Sequence, residues 1–106
     1  MSTIVYADVS GSMTGVMKDK LIEKLNSFAV NGLLKAFDDR VHPVGPYNAT
    51  SIQRLRAVGG GGSDLTGVIK DFKASGAKKA IIVTDGYFHR DPGLDMTGVQ
   101  IITIPV

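Results

Sequence analysis

The chain has 106 residues, 43% of them hydrophobic and 21% charged, with 12 Lys+Arg against 10 Asp+Glu for a formal net charge of +2. That is the size and balance of one soluble domain, residues 1–106, built on a single core, and it excludes large multi-step enzyme architectures and disorder of the whole chain. Zero cysteines exclude disulfides, thiolate metal sites and cysteine nucleophiles.

Ile4-Val5-Tyr6-Ala7 is a short apolar run ending at an acidic, Ser- and Gly-containing turn, the form of a central strand buried on both faces. From Val16, the residues Met17, Leu21, Leu25 and Phe28 recur at steps of three and four, with Lys18, Asp19, Lys20, Glu23 and Lys24 opposite. This predicts an amphipathic helix that stops near Asn31-Gly32, where glycine suits a left-handed end. Leu33 to Phe37 can prolong that helix or begin a strand, and periodicity does not choose. Asp38-Asp39 reads as a tight connection to an edge strand over Arg40 to Val44, where Pro43 is tolerated. Pro46 to Ser51 is turn-rich, and Ser51 to Val58 fits a short helix or an extended segment equally well. Gly59 to Gly62 form a flexible loop, Ser63 or Asp64 caps a second helix, and Leu65, Val68, Ile69 and Phe72 mark its apolar stripe up to a stop at Gly76. Lys79 to Thr84 is another buried strand, Tyr87 to Gly98 a polar loop, and Val99 to Ile104 the last strand. Strands separated by helices point to an α/β sheet with right-handed crossovers.

The apolar runs are far too short to span a bilayer, and Met1-Ser2-Thr3 leads straight into strand rather than into a secretory signal. The expected setting is cytoplasmic, with no membrane association. Arg54, Arg56, Lys78 and Lys79 form no sustained basic run and aromatics are few, which argues against nucleic acid as a partner.

Two acidic residues follow the two most apolar strand candidates, Asp8 after the first and Asp85 after the fourth. In a doubly wound sheet such positions meet in the crevice at the carboxyl ends of the strands. Ser10 and Ser12 stand beside Asp8, and the glycine loop ending in Ser63 leads toward the same crevice. Carboxylate and hydroxyl oxygens are hard donors, suited to Mg²⁺ or Mn²⁺ and poor for zinc or copper. Two carboxylates roughly neutralise a divalent ion, while hydroxyl ligands leave it electrophilic toward an incoming carboxylate or phosphate.

Asp8-Val9-Ser10-Gly11-Ser12-Met13 resembles the Asp-x-Ser-x-Ser core of the metal ion-dependent adhesion site of von Willebrand factor type A domains. Ser63, closing Gly59 to Gly62, matches a position where that family usually has threonine, and Val83-Thr84-Asp85-Gly86 matches its late aspartate turn. The resemblance runs in order along nearly the whole chain. It is nearest to compact prokaryotic and viral versions, which share the strand-turn-strand pattern of Phe37-Asp38-Asp39-Arg40-Val41; this similarity selects the strand at Leu33. The implied fold is Rossmann-like and doubly wound, a mostly parallel sheet of about five strands in the order 3-2-1-4-5 with one antiparallel edge strand and helices on both faces. The resemblance further implies a metal held by Asp8, Ser10, Ser12, Ser63 and Asp85. Ser10 and Ser12 would coordinate directly, Asp8 and Asp85 directly or through water, and Ser63 would enter or leave with ligand state, with Asp64 as an outer acid.

The implied function is metal-dependent protein binding, in which a partner's Asp or Glu completes the shell of Mg²⁺ or Mn²⁺ and rim residues Tyr87, Phe88, His89 and Arg90 set specificity. Family members usually end with a further helix on the sheet, so the face over the last two strands is expected to be covered by a second copy or a partner. An enzyme reading, a Mg²⁺-dependent phosphohydrolase of the haloacid dehalogenase type with Asp8 as nucleophile, requires a general acid/base carboxylate two residues later, where Ser10 stands. A metal-free scaffold or oligomerisation unit is the third reading. His89, Asp91 and Asp95 read as a solvated loop, and His42 as a structural residue of the edge strand.

Overall fold

The computed structural model describes residues 3–86 and 93–105. Within them the chain forms β1 (Thr3–Asp8), α1 (Val16–Asn26), β2 (Leu33–Phe37), β3 (Val41–Pro46), α2 (Ala49–Arg54) continued by a 3-10 turn at Leu55–Ala57, α3 (Leu65–Ser75), β4 (Lys79–Thr84) and β5 (Val99–Thr103). The strand order is β3-β2-β1-β4-β5. β1 runs parallel to β2 and β4, β5 runs parallel to β4, and β3 alone is antiparallel, paired with β2. This is the α/β sheet expected from the sequence, antiparallel edge included.

Strand periodicity divides the core into two layers. Val5, Ala7 and Val9 of the first strand region share one cluster with Leu21, Ile22 and Leu25 of α1 and Ile52 and Leu55 of the α2 region. Ile4 and Tyr6 belong to the other, with Leu65, Val68, Ile69 and Phe72 of α3. Successive residues of a strand point to opposite faces, so β1, flanked on both edges and covered on both sides, is buried from Ile4 to Ala7 before it reaches Asp8. A cross-layer tie fixes α3: the Tyr6 hydroxyl donates to Asp71 Oδ2 at 2.6 Å, and Lys35 Nζ on β2 donates to the same oxygen at 2.8 Å.

Three local readings are revised. The first helix ends at Asn26, short of Asn31-Gly32, because the backbone N–H and the hydroxyl of Ser27 both turn back to the Lys24 carbonyl. Phe28 then leaves the helix and stacks on Tyr47, ring centroids 5.9 Å apart. Gly32 is therefore no helix stop. A Cβ there would lie 2.2 Å from the Thr3 carbonyl oxygen, so its role is to let the start of β2 approach β1. The undecided stretch from Ser51 is helical as far as Ala57, and the helix begins already at Ala49 inside the turn-rich segment, because Asn48 caps α2 by accepting the Ser51 N–H at 2.9 Å. α2 lies on the same face as α1, which fills part of the space that two helices alone would leave open. The remainder of that face, beyond α1 toward β5, is an open groove lined by Phe28, Val30, Ile81 and Ile102. Among the described residues no helix is long and apolar enough to cross a membrane.

Candidate functional site at the carboxyl ends of β1 and β4

The parallel pairing of β1 with β4 sets Ala7 beside Val83, so the next residues, Asp8 and Thr84, leave the sheet side by side. Asp8 and Thr84 are wholly buried, and Asp85 is 6% exposed. Carboxylates enter such depth only where donors or a positive charge receive them. Asp8 Oδ1 accepts the backbone N–H of Ser10 at 2.9 Å. Its Oδ2 accepts the Thr84 hydroxyl at 2.6 Å and the Ser63 hydroxyl at 3.4 Å. The Ser12 hydroxyl donates to Asp85 Oδ2 at 2.7 Å, and the Ser10 and Ser12 hydroxyl oxygens lie 3.3 Å apart.

The structure thus brings together all five residues singled out in the sequence. Asp8 comes from the end of β1, Ser10 and Ser12 from the turn after it, Ser63 from the loop before α3, and Asp85 from just beyond the end of β4. The turn is compact because the Met13 N–H bonds the Ser10 carbonyl at 2.8 Å while the Met13 side chain is buried in the core. The glycine loop is drawn against it. The Gly60 N–H reaches the Val9 carbonyl at 2.9 Å, and the Gly11 N–H reaches the Gly61 carbonyl at 2.8 Å. Gly59, at φ 106°, passes so close that a Cβ would meet the Val9 carbonyl oxygen at 2.0 Å, a conformation and a clearance open to glycine alone.

Which residue caps α3 is settled. Asp64 accepts the Thr66 N–H at 2.8 Å as the N-cap, which gives the acid expected as an outer metal group a structural task and leaves the Ser63 hydroxyl to face Asp8. Thr84 is the member of the site that sequence reasoning misses. Its signal lies in its position, a hydroxyl residue at the end of a buried strand in register with the residue after Ala7.

The donor set fits a hard divalent cation. Two carboxylates and three serines are linked by one run of hydrogen bonds, and the described partners of Asp8 are a backbone N–H and hydroxyls, with no lysine or arginine ion-paired to it among the described residues. Among the described residues no three His, Cys, Asp or Glu side chains gather anywhere, so at this site the serine hydroxyls would have to supplement the two carboxylates. The rim residues Tyr87, Phe88, His89 and Arg90 lie outside the described residues, as do His89 and Asp91 of the second acidic group considered. Its third member, Asp95, is occupied locally. It accepts the Thr97 hydroxyl at 2.6 Å, the Thr97 N–H at 3.0 Å and Lys73 Nζ at 3.1 Å, which together hold its carboxyl down to about 2.

No protein-family model and no curated protein matches the chain. Among solved structures it is similar to an aerotolerance-related membrane protein from Bacteroides fragilis NCTC 9343, crystallised with multiple mutations to serines. The sequence identity is 17% and the TM-score 0.60, with 93% of this chain and 64% of that chain covered. The chain therefore spans less than two thirds of that protein's length, and the likeness is one of fold: a mixed α/β sheet with helices on both faces.

Proposed function

We propose that the chain is a von Willebrand factor A-like module that binds a protein partner through a divalent cation. Asp8, Ser10, Ser12, Ser63 and Asp85 would hold Mg²⁺ or Mn²⁺, and an aspartate or glutamate of the partner would complete the shell. The observation that carries this reading is the wholly buried Asp8 carboxylate, received among the described residues by neutral donors, with the Ser63 hydroxyl on Asp8 and the Ser12 hydroxyl on Asp85. A buried carboxylate with no positive charge among its described partners is a demanding arrangement, and a hard cation is the partner that such oxygens select. When bound, the cation supplies a Lewis-acidic position that a carboxylate can occupy.

On this reading the protein is a binding module and not an enzyme, and its setting is the cytoplasm. Ser10 stands where a phosphohydrolase using Asp8 as nucleophile needs its acid/base carboxylate, and its hydroxyl is turned toward Ser12. Calorimetric titration of chelator-treated protein with Mg²⁺ and with Mn²⁺, beside Asp8→Ala, tests the proposal. Saturable binding that the variant loses while keeping its circular dichroism is the expected result. Equal heats from wild type and variant would remove the metal from the proposal.

A further inference from the structure

The loop carrying Ser63 and the turn carrying Ser10 and Ser12 come from distant parts of the chain, and the loop, with glycine at each position from 59 to 62, does not hold a fixed distance from that turn by itself. Besides the direct Gly60–Val9 and Gly11–Gly61 backbone bonds, the Ser63 loop is held by Asp38, a 6% exposed acid in the β2–β3 turn that the metal reading does not use. Its Oδ2 accepts the Gly61 N–H at 3.3 Å, and its backbone carbonyl accepts the Asp64 N–H at 3.1 Å. These two bonds bracket Ser63. The carbonyl of the same Gly61 accepts the Gly11 N–H, between Ser10 and Ser12, at 2.8 Å. The remaining oxygen of Asp38 is held from the other side by His42 Nε2 at 2.8 Å and the Arg40 N–H at 3.2 Å. The approach is close enough that a Cβ on Gly61 would lie 3.1 Å from Asp39 Oδ1 and 3.3 Å from Asp38 Oδ2.

We infer that Asp38 is a positioning residue that locks the Gly61–Ser63 loop onto the Ser10–Ser12 turn, so that the serine hydroxyls are presented to a cation in one arrangement. The inference rests on the proposed metal function for its consequence, and on the hydrogen bonds alone for the lock itself. Asp38 touches neither Asp8 nor Asp85 among the described contacts; it acts through the Gly61 peptide. Groups that orient the ligands of a metal site from behind typically change affinity by about 10- to 100-fold when removed.

The test compares Asp38→Ala, Asp38→Asn and His42→Ala by Mn²⁺ titration and by amide hydrogen exchange at Gly11, Gly61 and Asp64. Alanine cannot receive the Gly61 N–H. Asparagine keeps one carbonyl oxygen for it but loses the charge and the second acceptor. The expected order, in both Mn²⁺ affinity and protection of the Gly61 and Gly11 amides, is wild type, then Asp38→Asn, then Asp38→Ala, with alanine about tenfold or more weaker in Mn²⁺ affinity than wild type. His42→Ala leaves the Gly61 bond in place and keeps wild-type affinity. A folded Asp38→Ala with wild-type affinity and wild-type exchange overturns the inference. Should that variant not fold, Gly61 and Gly11 amides that exchange in the wild type as fast as the Gly62 amide overturn it. If wild type binds no Mn²⁺, the metal function fails, and the exchange ranking by itself decides whether Asp38 locks the loop.

Discussion

Thr84 on β4 donates its hydroxyl to Oδ2 of Asp8 on β1 across 2.6 Å, with both residues wholly buried. The bond joins the carboxyl ends of the two central strands at the point where the chain on each side turns away into a loop. Thr84→Val preserves shape and removes the donor, leaving Asp8 Oδ2 with the Ser63 hydroxyl at 3.4 Å. Loss of a buried bond to a carboxylate of this kind costs about 2 kcal/mol. Urea unfolding of the metal-free variant should show that decrease at an unchanged slope, and titration should show weaker Mg²⁺ binding.

Ser63 offers the opposite balance. Its contact with Asp8 is long and its side chain only half-buried, so Ser63→Ala should change metal-free stability by no more than about 0.5 kcal/mol. If the hydroxyl joins the cation's shell, the same variant weakens Mn²⁺ binding, and Ser63→Thr, which keeps the oxygen, restores it. Parallel thermal melts with and without Mn²⁺ separate the two effects. A metal-induced rise in melting temperature that is equal in wild type and Ser63→Ala would exclude Ser63 from the shell.

The parts of this molecule that can be read from the sequence are those in which a local pattern and a global requirement coincide. Ile4 to Ala7 and Lys79 to Thr84 are apolar runs too short for helices, and both form central strands that deliver Asp8 and Asp85 to one crevice. The end of α1 is harder to read because Ser27, a weak stop signal on paper, closes the helix through two bonds to a single carbonyl. Gly32 suggests that end by its conformational freedom, whereas it is needed for clearance against Thr3. Contacts between residues dozens of positions apart, such as Asp38 with Gly61 or Thr84 with Asp8, leave no spacing pattern. They become visible only once the β1–β4 register and the path of the glycine loop are known.

Asp38 should also mark the acid limit of stability. Burial works to raise its pKa, but the hydrogen bond from His42 and those from the Arg40 and Gly61 N–H groups outweigh it, and the net shift is below the ordinary carboxylate value. The folded protein therefore binds fewer protons than the unfolded chain in the window beneath about pH 4, so this contribution is complete above that window and is lost as pH falls through the folded value. Asp38→Asn removes the titration. Plotted from pH 6 down to pH 3, the melting temperature of the variant should start lower than that of wild type and fall less steeply. Parallel curves would show that other carboxylates govern acid unfolding.

At the alkaline end two phenols contribute, Tyr6 and Tyr47, the latter pushed up to about 12 by burial. Burial, and after it the hydrogen bond and charge of Asp71, raise the Tyr6 phenol pKa above the ordinary value near 10. The unfolded chain then releases this proton first, so stability declines as pH rises past about 10. Tyr6→Phe should lose about 1 kcal/mol at neutral pH, since Asp71 keeps its bond from Lys35, and should show a shallower alkaline decline. Asp71→Ala is the more damaging change, because it strands the buried Tyr6 hydroxyl and the Lys35 ammonium together, at about 2 to 3 kcal/mol. In the double variant Tyr6→Phe with Asp71→Ala, part of that loss should return, since no hydroxyl is left unpaired. Urea unfolding of the four proteins measures the coupling directly. A coupling near zero would mean that the 2.6 Å bond between Tyr6 and Asp71 does not secure α3 to the sheet.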